Sequence, residues 1–164
     1  MHAPPSHLHP DITIGPFAKR GIDFMTCNPH SSMGHACIIV VVDYFTKWAE
    51  AMPTLSADSK TTTQFIFIHI IYRFGVPQAI VTNQGSHFRH YMVAELTSRF
   101  VLRHDNSTSY YPQANGQVEV VNKFLVTMLQ RTIGMHKSNW NLMLFSALWE
   151  YRTSVKDATG FTPF

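Results

Sequence analysis

The run "CIIVVV", Cys37 to Val42, constrains this chain more than any other stretch. Every residue after the cysteine is β-branched, and none is polar. Such side chains suit a pleated surface and lose χ1 freedom in a helix. A strand that is apolar on both sides offers no face to water. It must lie inside a sheet that is covered above and below.

The rest of the chain supplies those covers. "GIDFMTC", from Gly21, mixes apolar residues with one acid and reads as a first strand. The turn-rich loop "NPHSSMGH" leads from it to the second. "KWAEAMPTL" reads as a third strand that ends at Pro53, joined to the second through the tight "DYFT" connection. Asp58 or Ser59 caps a helix from about Lys60 to Phe74, which Gly75 and Pro77 halt. That helix is apolar nearly all round, so one side faces the sheet and another a partner subunit.

"QAIVT" is a fourth strand, "NQGSHF" the turn after it, "HYMVAELTSRF" a short helix and "VLRHD" a fifth strand. The polar loop "NSTSYYPQANG" follows, then a long helix from about Asn115 to Met135. Its Val118, Val121, Leu125, Met128 and Leu129 recur at helical spacing. Ser138 caps a last helix, "NWNLMLFSALWEYR". The order βββαβαβαα predicts an α/β domain, a mixed five-stranded sheet flanked by helices.

With 164 residues and 45% hydrophobic side chains, the chain can bury one sizeable core and is not disordered. Residues 1–18, with four prolines and with His2, His7 and His9, read as an extended arm, and 19–164 as the domain. Net charge is +3 and the pI about 9.0, a mild excess that fits an anionic partner. No Lys/Arg run of the nucleic-acid-tail kind is present. Cys27 and Cys37 form no CxxC pair, so they read as buried thiols rather than a zinc module or disulfide framework. The N-terminus lacks an apolar signal region, and the apolar runs are too short to span a bilayer. An intracellular protein without membrane contact is expected.

Few acids stand where chemistry can use them. Glu50, Asp58, Glu95, Asp105, Glu150 and Asp157 read as cap, surface or packing residues, and Asp43 ends the second strand. Asp23 is an acid inside an apolar strand, which needs a partner if buried. Taken alone, it reads as a solvent-facing or salt-bridged acid. Glu119, taken alone, pairs with Lys123 at i, i+4. Jointly they suggest more. Asn83 ends the fourth strand, and 35 residues separate it from Glu119.

An acid in strand one, a polar ligand after strand four and an acid on the next long helix form the D,D-35-E layout. The blocks "GIDF", "VVVDYFTKW", "YRFGVPQAIVT", "GSHF", "YYPQANGQVEVVNK" and "LWEYRT" occur in order around it. Together they resemble the integrase catalytic core of gypsy-type LTR retrotransposons, relatives of retroviral integrases. The resemblance covers roughly residues 16–164. It implies a ribonuclease H-like fold and polynucleotidyl transfer in DNA integration, with carboxylates holding two Mg²⁺ or Mn²⁺ ions. By resemblance Asp23, Asn83 and Glu119 occupy the catalytic, metal-binding positions. Tyr110, Gln113, Asn115 and Lys123 fall where DNA is contacted, which implies weak, salt-sensitive binding. The place of action would be the nucleus.

The departures matter as much. The family has "TDNG" after strand four, and here it reads Thr82, Asn83, Gln84, Gly85. Asn83 replaces the second catalytic Asp, and an amide carries no charge for a metal pair. Metal binding is therefore expected to be weak or absent, and the triad degenerate. The family often has Trp where Arg20 stands. Its His-His-Cys-Cys zinc module has no counterpart in these residues, nor has its C-terminal DNA-binding module. A reading from another class is a non-catalytic DNA- or protein-binding domain, dimerising through helices 60–74 and 138–152.

Overall fold

The computed structural model describes residues 15–107, 116–133 and 137–164. Five strands form one sheet: β1 (Lys19–Thr26), β2 (Cys37–Asp43), β3 (Ala49–Thr54), β4 (Ala79–Thr82) and β5 (Arg103–Asn106). Their spatial order is β3-β2-β1-β4-β5. The first three pair antiparallel, while β4 runs parallel to both β1 and β5. The parallel pairing of β1 with β4 stops where β4 ends, with Ile22 opposite Thr82, while β1 runs on to Thr26. Asp23 and Asn83 each follow by one residue, so this pairing alone brings them together.

β2 shows why the opening run had to be apolar throughout. Ile38, Val40 and Val42 pack toward α4 (Gly116–Ile133) and α5 (Trp140–Thr153), with Val118, Leu125, Leu144 and Leu148. Ile39 and Val41 pack on the opposite face, with Phe65, Ile66, Ile70 and Val93. All five are fully buried. Each such side chain contributes roughly 1.5–3 kcal/mol by leaving water.

The second face is covered by α3 (Tyr91–Arg99) and by a helix with three parts: α1 (Ser59–Phe65), a π-helical segment Ile66–Ile71, and α2 (Tyr72–Phe74). Asp58 caps it, its carboxylate accepting the Thr61 amide at 2.8 Å. The π turn is real in its bonding, since the Tyr72 amide reaches the Phe67 carbonyl five residues back. Wider turns seat Ile66, Ile70 and Ile71 inward and leave Phe67 and Ile68 outside.

Two sequence expectations need correction. Pro53 lies within β3 rather than ending it, opposite Ile38. β3 is an edge strand, where a missing N–H is tolerated. Ser138 is not the cap of the last helix. A 3₁₀ turn, Lys137–Asn139, precedes α5, and Asn139 at the cap position makes no side-chain capping bond. Both residues instead anchor the β1–β2 loop, as Ser32 donates its amide to the Ser138 carbonyl and its hydroxyl to Asn139. The arm expected over residues 1–18 falls outside the described residues up to position 14. Both ends expected of the long helix, Asn115 and Met135, also lie outside them.

Candidate functional site

Asp23 sits on the α4 side of β1, half-buried. Its Oδ1 accepts two hydrogen bonds, from the Phe24 amide at 2.8 Å and from Asn83 Nδ2 at 2.7 Å. Its Oδ2 accepts one from Asn122 Nδ2 at 3.3 Å. Burial pushes this carboxyl up to about 6, and the Glu119 charge adds to the rise, against the lowering by the Phe24 and Asn122 donors.

Asn83 is held at both ends. Its Nδ2 donates to Asp23, while its Oδ1 accepts the Gly85 amide at 2.8 Å. Turning the amide over would set oxygen against oxygen at Asp23 and nitrogen against N–H at Gly85, so this orientation is fixed by its neighbours. A Cβ at position 85 would lie 2.9 Å from that Oδ1 and 2.5 Å from the His87 ring, so glycine is what fits. The strand end behind Asn83 is fixed too. Thr82 Oγ1 lies 2.8 Å from His104 Nε2 and 3.1 Å from Asn106 Oδ1, both on β5.

Helix α4 brings the third position. Glu119 lies in its first turn, exposed, where a negative charge is favourable near a helix N-terminus. The helix meets β1 very closely at Gly21. A Cβ there would come 2.3 Å from Val118 and 2.7 Å from Tyr44. This contact sets the height of Glu119 above Asp23, each one or two residues further along its own element. Lys47 adds a second tether, its Nζ donating to Gln117 Oε1 at 2.7 Å and to the Tyr44 carbonyl at 2.6 Å.

Asp23 and Asn83 are thus in direct contact, and Glu119 is close enough to Asp23 for its charge to be felt. Lys123 is exposed on α4, one turn past Glu119. Tyr110, Gln113 and Asn115 lie outside the described residues. Asn122 was not singled out from sequence. Its signal was there: it stands three residues after Glu119, hence on the same helix face.

The donor set does not suit a pair of divalent cations. Such ions want charged oxygens, but Asn83 turns N–H hydrogens toward Asp23 and has its oxygen engaged elsewhere. Among the described residues, no three His, Cys, Asp or Glu side chains converge as a metal site. Also among them, no helix is long and apolar enough to cross a membrane.

Away from this site lies a buried ion cluster. Glu50, grouped from sequence with the cap, surface or packing acids, is buried between Arg73 at 2.8 Å and Arg152 at 3.1 Å, with Trp48 Nε1 donating at 2.8 Å. Arg20 is fully buried against the Phe17 and Phe74 rings. Burial lowers its guanidinium to about 10, an effect that Asp43 and Glu50 oppose.

The sequence pattern of the family described as Integrase core domain matches residues 1–112. The chain is 31% identical over 144 residues to the Pol polyprotein of Radiation murine leukemia virus (strain Kaplan), covering 87% of this chain and 24% of that protein. It is 28% identical over 150 residues to the Transposon Tf2-3 polyprotein of Schizosaccharomyces pombe (strain 972 / ATCC 24843), covering 91% of this chain and 11% of that protein. The chain thus spans at most 24% of the length of these two relatives.

Among solved structures, the HTLV-2 integrase catalytic core domain in complex with magnesium, in its trimeric form, aligns with a TM-score of 0.72 at 20% identity. That match covers 92% of this chain and 95% of the other. The simian T-cell lymphotropic virus intasome in complex with PP2A regulatory subunit B56 gamma aligns with a TM-score of 0.78 at 21% identity, covering 90% of this chain and 53% of the other. At these identities the likeness is one of fold, and the fold is ribonuclease H-like.

Proposed function

Because the chain belongs to the integrase core domain family, we propose that it is the core of a gypsy-type LTR retrotransposon integrase whose polynucleotidyl transfer is impaired. The lineage function is DNA integration. The observation that carries the impairment is the Asn83 amide: its N–H donors face Asp23 at 2.7 Å, where the second carboxylate of the family's triad would offer oxygens to a cation. A Mg²⁺-dependent 3′-processing and strand-transfer assay tests it. The native chain is expected to stay near background and Asn83→Asp to gain activity. Robust transfer by the native chain at physiological Mg²⁺ would overturn the reading.

DNA remains the expected partner. Lys123 offers a cation to a phosphate, and Tyr110, Gln113 and Asn115 carry the DNA-facing roles that the family resemblance gives them. Binding of this kind is weak and falls with salt.

The alternative, a non-catalytic binding and dimerisation domain, is favoured by two exposed apolar stripes. Phe67, Ile68 and Tyr72 lie on one helix, and Leu142, Phe145 and Trp149 on α5. A homodimer through residues 60–74 and 138–152 would cover both. Sedimentation decides it, since a monomer at high concentration is incompatible with that interface.

A further inference from the structure

We infer that the Asn83 side chain stands in for a cation at Asp23, so that the folded domain fixes this carboxylate with its own amides and draws no stability from divalent metal. The inference rests on the reading of Asn83 as the replaced second ligand, and extends it from lost catalysis to what now holds the site together.

Three N–H groups surround the Asp23 carboxylate: the Phe24 amide, Asn83 Nδ2 and Asn122 Nδ2. Each brings a partial positive charge to an oxygen that would otherwise need a full one. They come from three different elements, namely β1 itself, the turn after β4, and α4. A bound cation would unite the same three elements by ligation. Here hydrogen bonds unite them, and they form as the chain folds.

The substitution also removes a conflict. An Asp at position 83 would put a second carboxylate within hydrogen-bond distance of the first. Two such groups stay together only by sharing a proton or a cation. The amide needs neither, because one end donates to Asp23 and the other accepts from Gly85. To offer its oxygen to an ion, Asn83 would have to break the Gly85 bond and withdraw its donor from Asp23. Neither Asn83 nor Asn122 adds negative charge in return. A divalent ion therefore gains little by displacing them.

The experiment is thermal melting of the full chain in EDTA, in millimolar Mg²⁺ and in millimolar Mn²⁺, for the native protein and Asn83→Asp. The native Tm is expected to be the same in all three. The variant is expected to melt about 3 °C lower in EDTA, a shift readable in a domain of this size, and to recover in Mn²⁺.

A Mn²⁺ titration of the native chain, read as loss of the free-ion electron paramagnetic resonance signal, should show no depletion, and it decides the matter if the variant does not fold. A Mn²⁺-dependent rise in native Tm, depletion of free Mn²⁺ by the native chain, or a variant as stable in EDTA as the native protein would each overturn the inference. Tight Mn²⁺ binding without strand transfer would remove it while leaving the impaired-catalysis reading intact. Mg²⁺-dependent strand transfer by the native chain would overturn both, since it requires metal held at Asp23.

Discussion

Lys47, in the turn between β2 and β3, holds Gln117 in the first turn of α4 at 2.7 Å across 70 residues of sequence. Lys47 does so from a left-handed backbone, φ 64, and its ammonium is partly desolvated, which lowers its proton affinity. Lys47→Met keeps the stem and removes the donor. It should cost about 1.5–3 kcal/mol, the range for hydrogen bonds to a charged group. Urea unfolding measures the loss. Faster amide exchange at Val118 and Glu119, with β2 unchanged, would place the effect at the helix start.

Asp23 predicts a pH-dependent variant. Its carboxyl lies near 6 in the folded chain against an ordinary 3.8. The folded state therefore holds the proton more tightly than the unfolded state. The charged group is a burden on stability above pH 6, and the burden fades as pH falls toward 4. Asp23→Asn should be more stable than the native chain by about 2 kcal/mol at neutral pH. The gain should vanish near pH 4. Asn122 can accommodate the change, because its buried Oδ1 has no hydrogen-bond partner among the described residues and an amide turn would offer it to the new NH₂. Equal stabilities at pH 7.5 would contradict the prediction.

His104 works in the opposite sense. Burial lowers its imidazole below the usual 6.5, with a smaller opposing effect from Asp105. The folded state then binds fewer protons than the unfolded one, so its stability falls as pH drops below 6.5. His104→Gln keeps a hydrogen-bonding group near Thr82 and cannot titrate. Its urea midpoint should decline less than the native one between pH 7 and pH 5.5.

Glu50 is the side chain whose loss should hurt the fold most among the acids. Glu50→Ala strands Trp48 Nε1 and leaves Arg152, itself largely buried, without its carboxylate. A cost of about 3 kcal/mol is expected from breaking one side of a buried pair. Glu50→Gln should recover part of it, since an amide oxygen still accepts from one donor. Chemical denaturation of the two variants separates the charge from the hydrogen bonds.

The contrast between Glu50 and Asn83 shows what could be read before the fold was known. Strand and helix periodicity located β2, the Asp58 cap and the α4 stripe because those signals are local. The Asn83–Glu119 spacing was legible because it joins a motif to its chain position. Glu50 gave no such sign. Its burial depends on Arg73 and Arg152 arriving from two separate helices. Asn122 was half legible: its spacing put it on the helix face of Glu119, but its bond to Asp23 exists only once α4 lies against β1. The π segment within "IFIHII" was silent, because a wider turn is chosen by how isoleucines seat on the sheet, not by their identity.

β2 carries a last consequence. Val40 and Val41 are neighbours in sequence, yet they belong to different cores. Removing α4 and α5 would wet one side of this strand, and removing α1 and α3 would wet the other. Either loss strips the same backbone of half its support. The two helical layers therefore have no separate existence, and the domain should melt as one body, with no state in which one layer survives the other.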